Sequence, residues 1–307
     1  MSKKINVSII GAAGYTGLET LRFLLNHPYV NLVHLVSHSH AGEMMSAVWP
    51  HLKGICDIKL STATPEKVAQ ESDVVFLALP HHESQKIVPS LIGKTKIIDL
   101  SGDFRLQDLA AYERYYGHQH AYPAGVPQFV YGLTELNKEK IVKAKNIANP
   151  GCFAITTQLA LLPLRGHNMK SYKINVHQHI PEVNQTTGLT EGQLTFAPTS
   201  GPFTRGIHLT AFVELSEPRE VATIQKLFEE TYANAPFVRL KKNVQLVEII
   251  GSNFCDIALH VVPGGVVVQA VIDNLAKGAG GNAVHNMNLM CGFEETTGLL
   301  TMSPVFP

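Results

Sequence analysis

The sequence predicts an α/β protein in two parts, an N-terminal doubly wound parallel sheet and a second α+β domain with a mostly antiparallel sheet. Three observations predict it. From Ile5 to Ala110, short β-branched runs alternate with helix-length amphipathic segments, the pattern of parallel strands covered by helices on both faces. A glycine-rich turn, Gly11 to Gly17, joins the first run to the first amphipathic segment. Beyond Cys152 the pattern changes to several alternating, strand-like runs.

Taken in order, Ile5 to Ile10 has the β-branched character of a strand, and Tyr15 to Asn26 sets Leu18, Leu21, Leu24 and Leu25 on one helical face. Val30 to Val36 reads as the second strand, and Pro65 to Glu71 as a short helix opened by proline. Val74 to Leu79 is apolar throughout, as a strand covered on both faces must be, and Pro80 ends it. Lys96 to Leu100 and Lys145 to Ala148 are further strands. Sheets of this kind gather ligands at the carboxyl ends of their strands. Phe153 to Leu164 then predicts a helix, and Tyr172 to His179, Gln193 to Ala197, His208 to Leu215 and Val266 to Ile272 predict strands. Pro218 to Ala233 predicts a helix among them, and Asn282 to Met290 a closing helix after the glycine-rich Lys277 to Gly281.

With 307 residues, 45% hydrophobic and 16% charged, the composition is that of a folded globular chain. Lysine plus arginine and aspartate plus glutamate number 25 each, so there is no basic field to gather nucleic acid or an anionic membrane. No apolar run approaches the roughly 18 residues of a bilayer-spanning helix. The opening residues lead straight into a strand without the apolar core of a secretory signal, and Cys56, Cys152, Cys255 and Cys291 form no CxxC pair. Reduced thiols and a cytoplasmic location are therefore expected.

Gly11, Gly14 and Gly17 lie between the first strand and the first helix, where glycines let backbone N–H groups approach a pyrophosphate at a helix N-terminus. The spacing is GxxGxxG rather than GxGxxG, and its place between strand and helix favours a Rossmann-like, dinucleotide-binding sheet for the first part; a merely structural turn is the alternative. An acidic residue after the second strand would accept the ribose hydroxyls of NAD. Here that place holds Ser37-His-Ser39-His, which favours the 2'-phosphate of NADP; a merely polar loop is the alternative.

Asn149-Pro-Gly-Cys152 joins a strand to a helix, and so sets the sulfur near a helix N-terminus that favours a thiolate. Cys56, Cys255 and Cys291 read as small buried apolar residues. His177 and His179, two apart at the end of an expected strand, share a face, and either could exchange a proton with Cys152. Zinc ligation with Glu182 or Cys152, or two structural histidines, would also account for the pair; no metal is expected. Arg105, in Asp99-Leu-Ser-Gly-Asp103-Phe-Arg105, either grips a carboxylate or phosphate or pairs with Asp103 or Asp99, and Arg205 is similarly open. His81 and His82, after Pro80, occupy a strand-end loop.

Together these segments resemble the N-acetyl-gamma-glutamyl-phosphate reductase family. The resemblance rests on GAAGYTG at 11–17, FLALPHHES at 76–84, IDLSGDFRL at 98–106, ANPGCF at 148–153, HQHIPEV at 177–183, FTRGI at 203–207 and IDNLAKGAGGNAV at 272–284. It implies an NADPH-dependent reduction of an acyl phosphate to an aldehyde in arginine biosynthesis, with Cys152 as nucleophile and His179 or His177 as acid/base. It implies cofactor contacts from Gly11, Gly14, Tyr15, Thr16, Gly17, Ser37, Ser39, Pro80, Asn274 and Gly278, and substrate contacts from Arg105, Asn149, Glu182 and Arg205. It also implies a homodimer or homotetramer acting on a small acyl phosphate, with no nucleic-acid or membrane partner. The expected domains are 1–149, completed by a C-terminal helix over 278–307, and a catalytic α+β domain over 150–277.

The chain departs from the family pattern in two places. Ile155 stands where the family usually has threonine. A Ser-Gly-rich segment of the family is missing after Leu164, and the resemblance puts that segment near nicotinamide and substrate. Its loss would weaken cofactor binding or turnover, or leave a nucleotide-binding regulatory protein. Aspartyl-phosphate and aminoadipyl-phosphate reductases share the chemistry and are the rival readings.

Overall fold

The computed structural model describes residues 4–164, 177–190, 193–194, 196–197, 203–215 and 220–300. The chain divides into two compact units. The first comprises Met1–Leu109, His118–Pro150 and Ala279–Leu300, and the second Ala110–Gly117, Gly151–Gly278 and Thr301–Pro307.

The first unit begins β1 (Ile5–Ile10), α1 (Tyr15–Leu25), β2 (Val30–Val36), α2 (Met45–Val48), α3 (Pro65–Glu71), β3 (Val74–Leu77), α4 (Ser84–Leu91) and β4 (Lys96–Asp99). After α5 (Leu109–Tyr116), most of which clusters with the second unit, come β5 (Val130–Tyr131), α6 (Thr134–Lys143) and β6 (Asn146–Ala148). All six strands are parallel, in the order β2-β1-β3-β4-β6-β5. The order runs outward from β1 in both directions, so the sheet is doubly wound and has a crevice at the carboxyl ends of its central strands. Val74, Val75, Phe76 and Leu77 are fully buried, which is why β3 shows no polar alternation. Helix α1 turns Leu21, Phe23 and Leu24 inward, while Leu18 and Leu25 of the expected stripe are half-buried.

The second unit contains α7 (Cys152–Leu161), α8 (Ile180–Thr187), β7 (Ile207–Glu214), α9 (Val221–Tyr232), β8 (Val238–Lys241), β9 (Cys255–Val262) and β10 (Gly265–Ile272). Its four strands run β7-β10-β9-β8; β10 is antiparallel to both neighbours and β8 is parallel to β9. Helix α7 buries every residue from Ala154 to Leu161, so it is a core helix without a polar face, packed on β10 and β7. Helix α9 buries Ile224, Phe228 and Tyr232, four apart, and leaves its other faces to solvent.

Three expectations change. The strand expected to end at His179 does not contain the histidines: 177–179 form a turn that runs into α8, while 172–176 lie outside the described residues. Pro181 at the head of α8 and Glu182 in its first turn are helix-start signals that outweigh the period-two reading. The described residues of Gln193 to Ala197 form no strand either. The closing helix, α10 (Gly281–Cys291), stops well before residue 307, because Gly292 takes the left-handed conformation (φ 71°) that ends a helix.

Candidate active site

In the first unit the crevice is built by removing side chains. Gly11 has φ 89°, and a Cβ there would stand 2.3 Å from the Ala78 carbonyl oxygen. A Cβ on Gly17 would stand 2.4 Å from the Gly11 carbonyl oxygen, so only glycine lets α1 start this close to β1. Gly11 and Ala12 N–H groups both donate to the Val36 carbonyl at 3.0 Å, which ties the turn to the end of β2. Gly14 caps α1, whose first turn has no acidic residue, and an added Cβ would meet only the Gly11 oxygen at 3.6 Å. The helix N-terminus is therefore open toward an anion.

Tyr15 is 71% exposed and Thr16 half-buried beside this turn. Trp49, which the sequence did not single out, donates from Nε1 to the Ala13 carbonyl at 3.2 Å, and its ring centroid lies 5.6 Å from that of Tyr15. At 36 residues from Ala13, it gives no local signal of this role. At the end of β2 the Ser37 and Ser39 hydroxyl oxygens are 3.3 Å apart, and the loop's one nearby carboxylate, Glu43, faces His40 at 3.1 Å. The donor set fits a phosphorylated dinucleotide: bare backbone at the pyrophosphate position, and hydroxyls in place of a ribose-binding carboxylate. Pro80 lies exposed in the loop after β3.

Arg105 is 5% exposed; its Nε donates to the Asn149 carbonyl at 2.8 Å and its Nη2 to the Leu100 carbonyl at 2.9 Å. It thus joins the ends of β4 and β6. The Asn149 carboxamide oxygen accepts from Asn282 at 2.8 Å and Asn286 at 3.3 Å, a buried cluster that fixes the residue three before Cys152. Burial, with Asp103 beside it, pushes the Asp99 carboxyl up to about 6, against the hydrogen bonds it receives from Ser101.

In the second unit Cys152 is the first residue of α7 and half-buried, with Gly151 as the cap. A Cβ on Gly151 would stand 2.2 Å from His179 Nε2, so the imidazole rests directly on the backbone next to Cys152. Gly278 packs from another side: its Cβ would stand 2.6 Å from that of Cys152. Glu182 is fully buried; its carboxylate accepts the Gly151 N–H at 3.1 Å and lies 3.9 Å from His179 Nε2. Gln158 of α7 holds the Glu182 carbonyl and the Thr186 hydroxyl, both at 2.7 Å.

The His177 and His179 rings are 4.7 Å apart, and His177 also stacks edge-on against Phe153 at 5.1 Å. Burial lowers the His177 pKa, and the Glu182 charge opposes that shift. Arg205 makes a two-pronged contact with the buried Asp273 at 2.7 and 2.8 Å. The Asn274 side-chain oxygen accepts the Gly206 N–H at 2.6 Å. Ile155 is fully buried in α7, and its N–H goes to the Gly151 carbonyl at 2.8 Å. The second unit thus joins a thiol at a helix N-terminus, two imidazoles and a buried carboxylate around one turn, the parts required for a covalent acyl transfer.

Residues 6–144 match the model of the semialdehyde dehydrogenase NAD binding domain, and 156–274 that of the semialdehyde dehydrogenase dimerisation domain. The N-acetyl-gamma-glutamyl-phosphate reductase of Nitrosococcus oceani is 38% identical over 344 residues, covering 98% of this chain and 99% of its own. That of Brevibacillus brevis is 39% identical over 346 residues, with 99% and 100% covered. Both alignments are longer than the 307 residues of this chain, so the relatives carry residues that it lacks. Among solved structures, aspartate semialdehyde dehydrogenase II from Vibrio cholerae superposes with a TM-score of 0.68 at 16% identity, covering 94% of this chain and 99% of that one. The aspartate semialdehyde dehydrogenase with NADP from Candida albicans gives 0.70 at 14%, with the same coverage. These two likenesses speak for the fold, and the sequence relatives for the family. The chain belongs to the N-acetyl-gamma-glutamyl-phosphate reductase family, on the semialdehyde dehydrogenase fold.

Proposed function

We propose that this chain reduces N-acetyl-gamma-glutamyl phosphate to N-acetylglutamate 5-semialdehyde, releasing phosphate, in L-arginine biosynthesis. The observation that carries the reading is the seating of the His179 imidazole on side-chain-free Gly151, next to Cys152 at the head of α7. His179 takes the Cys152 proton, and the helix N-terminus stabilises the thiolate. The sulfur attacks the acyl carbon, the carbon–oxygen bond to phosphate breaks, and phosphate leaves with the bonding electrons. A thioester on Cys152 remains. NADPH, when bound, supplies the hydride that reduces it, and Gly11, Gly14, Gly17, Ser37 and Ser39 are the residues that would hold that cofactor. N–H groups of the first turn of α7 hold the oxyanion as it forms. Collapse of the resulting thiohemiacetal breaks the carbon–sulfur bond, frees the aldehyde and returns the thiolate. His177, kept neutral by burial, orients His179 by accepting its backbone N–H at 3.2 Å. Asn149, Glu182, Arg105 and Arg205 serve through the bonds they already make, holding the turns around the nucleophile. The dimerisation-domain match supports a homo-oligomer, and we place it in the cytoplasm.

The test runs the reaction backward. N-acetylglutamate semialdehyde, NADP and phosphate are mixed with the protein, and NADPH absorbance is followed beside a Cys152→Ser control. Phosphate-dependent, cysteine-dependent NADPH formation is expected, and aspartate semialdehyde and aminoadipate semialdehyde should turn over more slowly. Tight NADPH binding without turnover would instead favour the reading that the residues missing relative to the longer relatives carried catalysis.

A further inference from the structure

We propose that Asp103 is a positioning residue for the cofactor: its carboxylate holds the loop after β3 in a left-handed kink that sets Leu79 to His82 against the glycine turn. This rests on the NADPH reading above. The loop starts in contact with that turn. Ala78 N–H donates to the Ile10 carbonyl at 2.8 Å, and the space a Gly11 Cβ would need is occupied by the Ala78 carbonyl oxygen at 2.3 Å and by Leu79 Cδ2 at 3.3 Å. Four residues on, His82 has φ 72°, the only positive φ at a non-glycine among the described residues. Such a conformation in an L-residue with a full side chain persists only where its surroundings enforce it, and it concentrates at functional sites.

The enforcing group is Asp103, which is fully buried. One carboxylate oxygen accepts the His82 N–H at 2.8 Å, and the other accepts the Gln85 N–H at 3.1 Å at the start of α4. A second tie runs beside it: the Gly102 N–H donates to His81 Nδ1 at 2.8 Å. Asp103 is itself held from behind. Its N–H donates to the Ser101 hydroxyl at 3.1 Å, that hydroxyl donates to Asp99 at 2.7 Å, and His120 Nε2 donates to the Asp103 carbonyl at 2.7 Å. A carboxylate is costly to bury, and here it meets two N–H donors beside the left-handed His82. The β4 end thereby fixes the shape of the β3 end, and the β3 end walls the dinucleotide turn.

The experiment measures NADPH affinity by fluorescence titration, with thermal melting in parallel, on the full chain and on Asp103→Asn, Asp103→Asn/His82→Gly and His82→Val. Loss of one of two charge-assisted bonds should weaken NADPH binding about tenfold in Asp103→Asn, raising KM for NADPH while kcat at saturation stays within threefold. Glycine accepts a positive φ at no steric penalty, so the double variant should recover most of the affinity. His82→Val, whose branched side chain resists that φ, should weaken binding by tenfold or more, and it tests the proposal even where an Asp103 variant does not fold. Asp103→Asn affinity within twofold of wild type, no recovery in the double variant, or normal binding by His82→Val would each overturn it. Wild-type protein that fails to bind NADPH would overturn the cofactor reading and this proposal with it.

Discussion

The glycine turn of the first unit, proposed to hold the cofactor, and the Cys152 turn of the second, proposed to carry the nucleophile, are both strand-to-helix or loop-to-helix junctions, yet they are built in opposite ways. Around Gly11 and Gly17 the structure removes atoms, because a Cβ at either would stand within 2.4 Å of a backbone oxygen. Around Cys152 it adds charge and polarity: the His179 imidazole and the fully buried Glu182 carboxylate converge on Gly151, and the His177 ring packs against that of His179. A turn that receives a ready-made anion needs open N–H groups and space. A turn that must make and unmake a covalent bond needs groups that move protons and hold a charge. Substitutions should therefore separate the two: added atoms should harm the first, and changed chemistry the second.

The largest effect is expected at Cys152. Cys152→Ser should lower turnover at least a thousandfold, about 4 kcal/mol in barrier, and leave NADPH affinity within twofold. Stopped-flow turnover with a parallel NADPH titration checks both halves of the statement. A serine variant that keeps a tenth of the activity would break the assignment of covalent chemistry to the second unit.

In the first unit the corresponding contrast is between two glycines. Gly11→Ala meets a backbone oxygen at 2.3 Å and a φ of 89°, so it should cost roughly 4 kcal/mol and melt early. Gly14→Ala finds only an oxygen at 3.6 Å. It should melt like wild type and still bind NADPH at least tenfold more weakly, since the methyl fills space meant for ligand. Normal NADPH binding by a folded Gly14→Ala would show that the turn closes the fold without holding a cofactor.

The same contrast governs what could be read from sequence. The glycine spacing was legible because a backbone constraint is local: three glycines between a strand and a helix have few other uses, and the doubly wound order of the sheet followed from alternation. In the second unit the arrangement of the histidines differs from what their spacing predicts. His177 and His179 looked like neighbours on one strand face, but Pro181 and Glu182 start a helix at once, and the two rings meet across a turn. Trp49 against Ala13, and Asn282 against Asn149, were illegible for another reason. Their contacts join residues 36 and 133 apart, and neither residue type at those positions distinguishes a bracing side chain from an ordinary buried one. Asp103 stands in Asp99-Leu-Ser-Gly-Asp103-Phe-Arg105, where sequence spacing alone does not show that its carboxylate accepts the N–H of a left-handed His82.

A third prediction concerns the buried acid of the first unit, where charge is a liability. Asp99 has its carboxyl pushed from 3.8 up to about 6 by burial and by Asp103. Above pH 6 both folded and unfolded chains are ionised, and the fold carries the full burial penalty. As pH falls from about 6 toward 4 the folded state takes up a proton that the unfolded chain does not, so this group makes stability rise as pH falls through that window. The swing is up to about 3 kcal/mol. Asp99→Asn should flatten it in urea titrations run at pH 4, 5, 6 and 7; an unchanged slope would mean that Asp99 titrates alike in both states.

The smallest effect, and the sharpest test of the comparison, is expected at Glu182, whose buried carboxylate is proposed to serve the chemistry. Glutamine retains an oxygen to accept the Gly151 N–H, so Glu182→Gln should fold normally and bind NADPH as wild type does. It removes the negative charge that lies 3.9 Å from His179 and opposes the burial-driven drop in the His177 pKa. With that opposition gone the His177 pKa falls further, so an acidic limb of the pH–rate profile that follows His177 should move to lower pH. Turnover at the plateau should fall about tenfold, as for loss of one charge-assisted contact to an imidazole that must carry a proton. Glu182→Ala, which also strips the acceptor from Gly151, should lose more, and the difference between the two variants separates the bond to the backbone from the charge near the ring. A pH profile identical to wild type in Glu182→Gln would mean that the carboxylate acts only as a strut for the turn, and the second unit would then resemble the first in relying on backbone geometry rather than on charge.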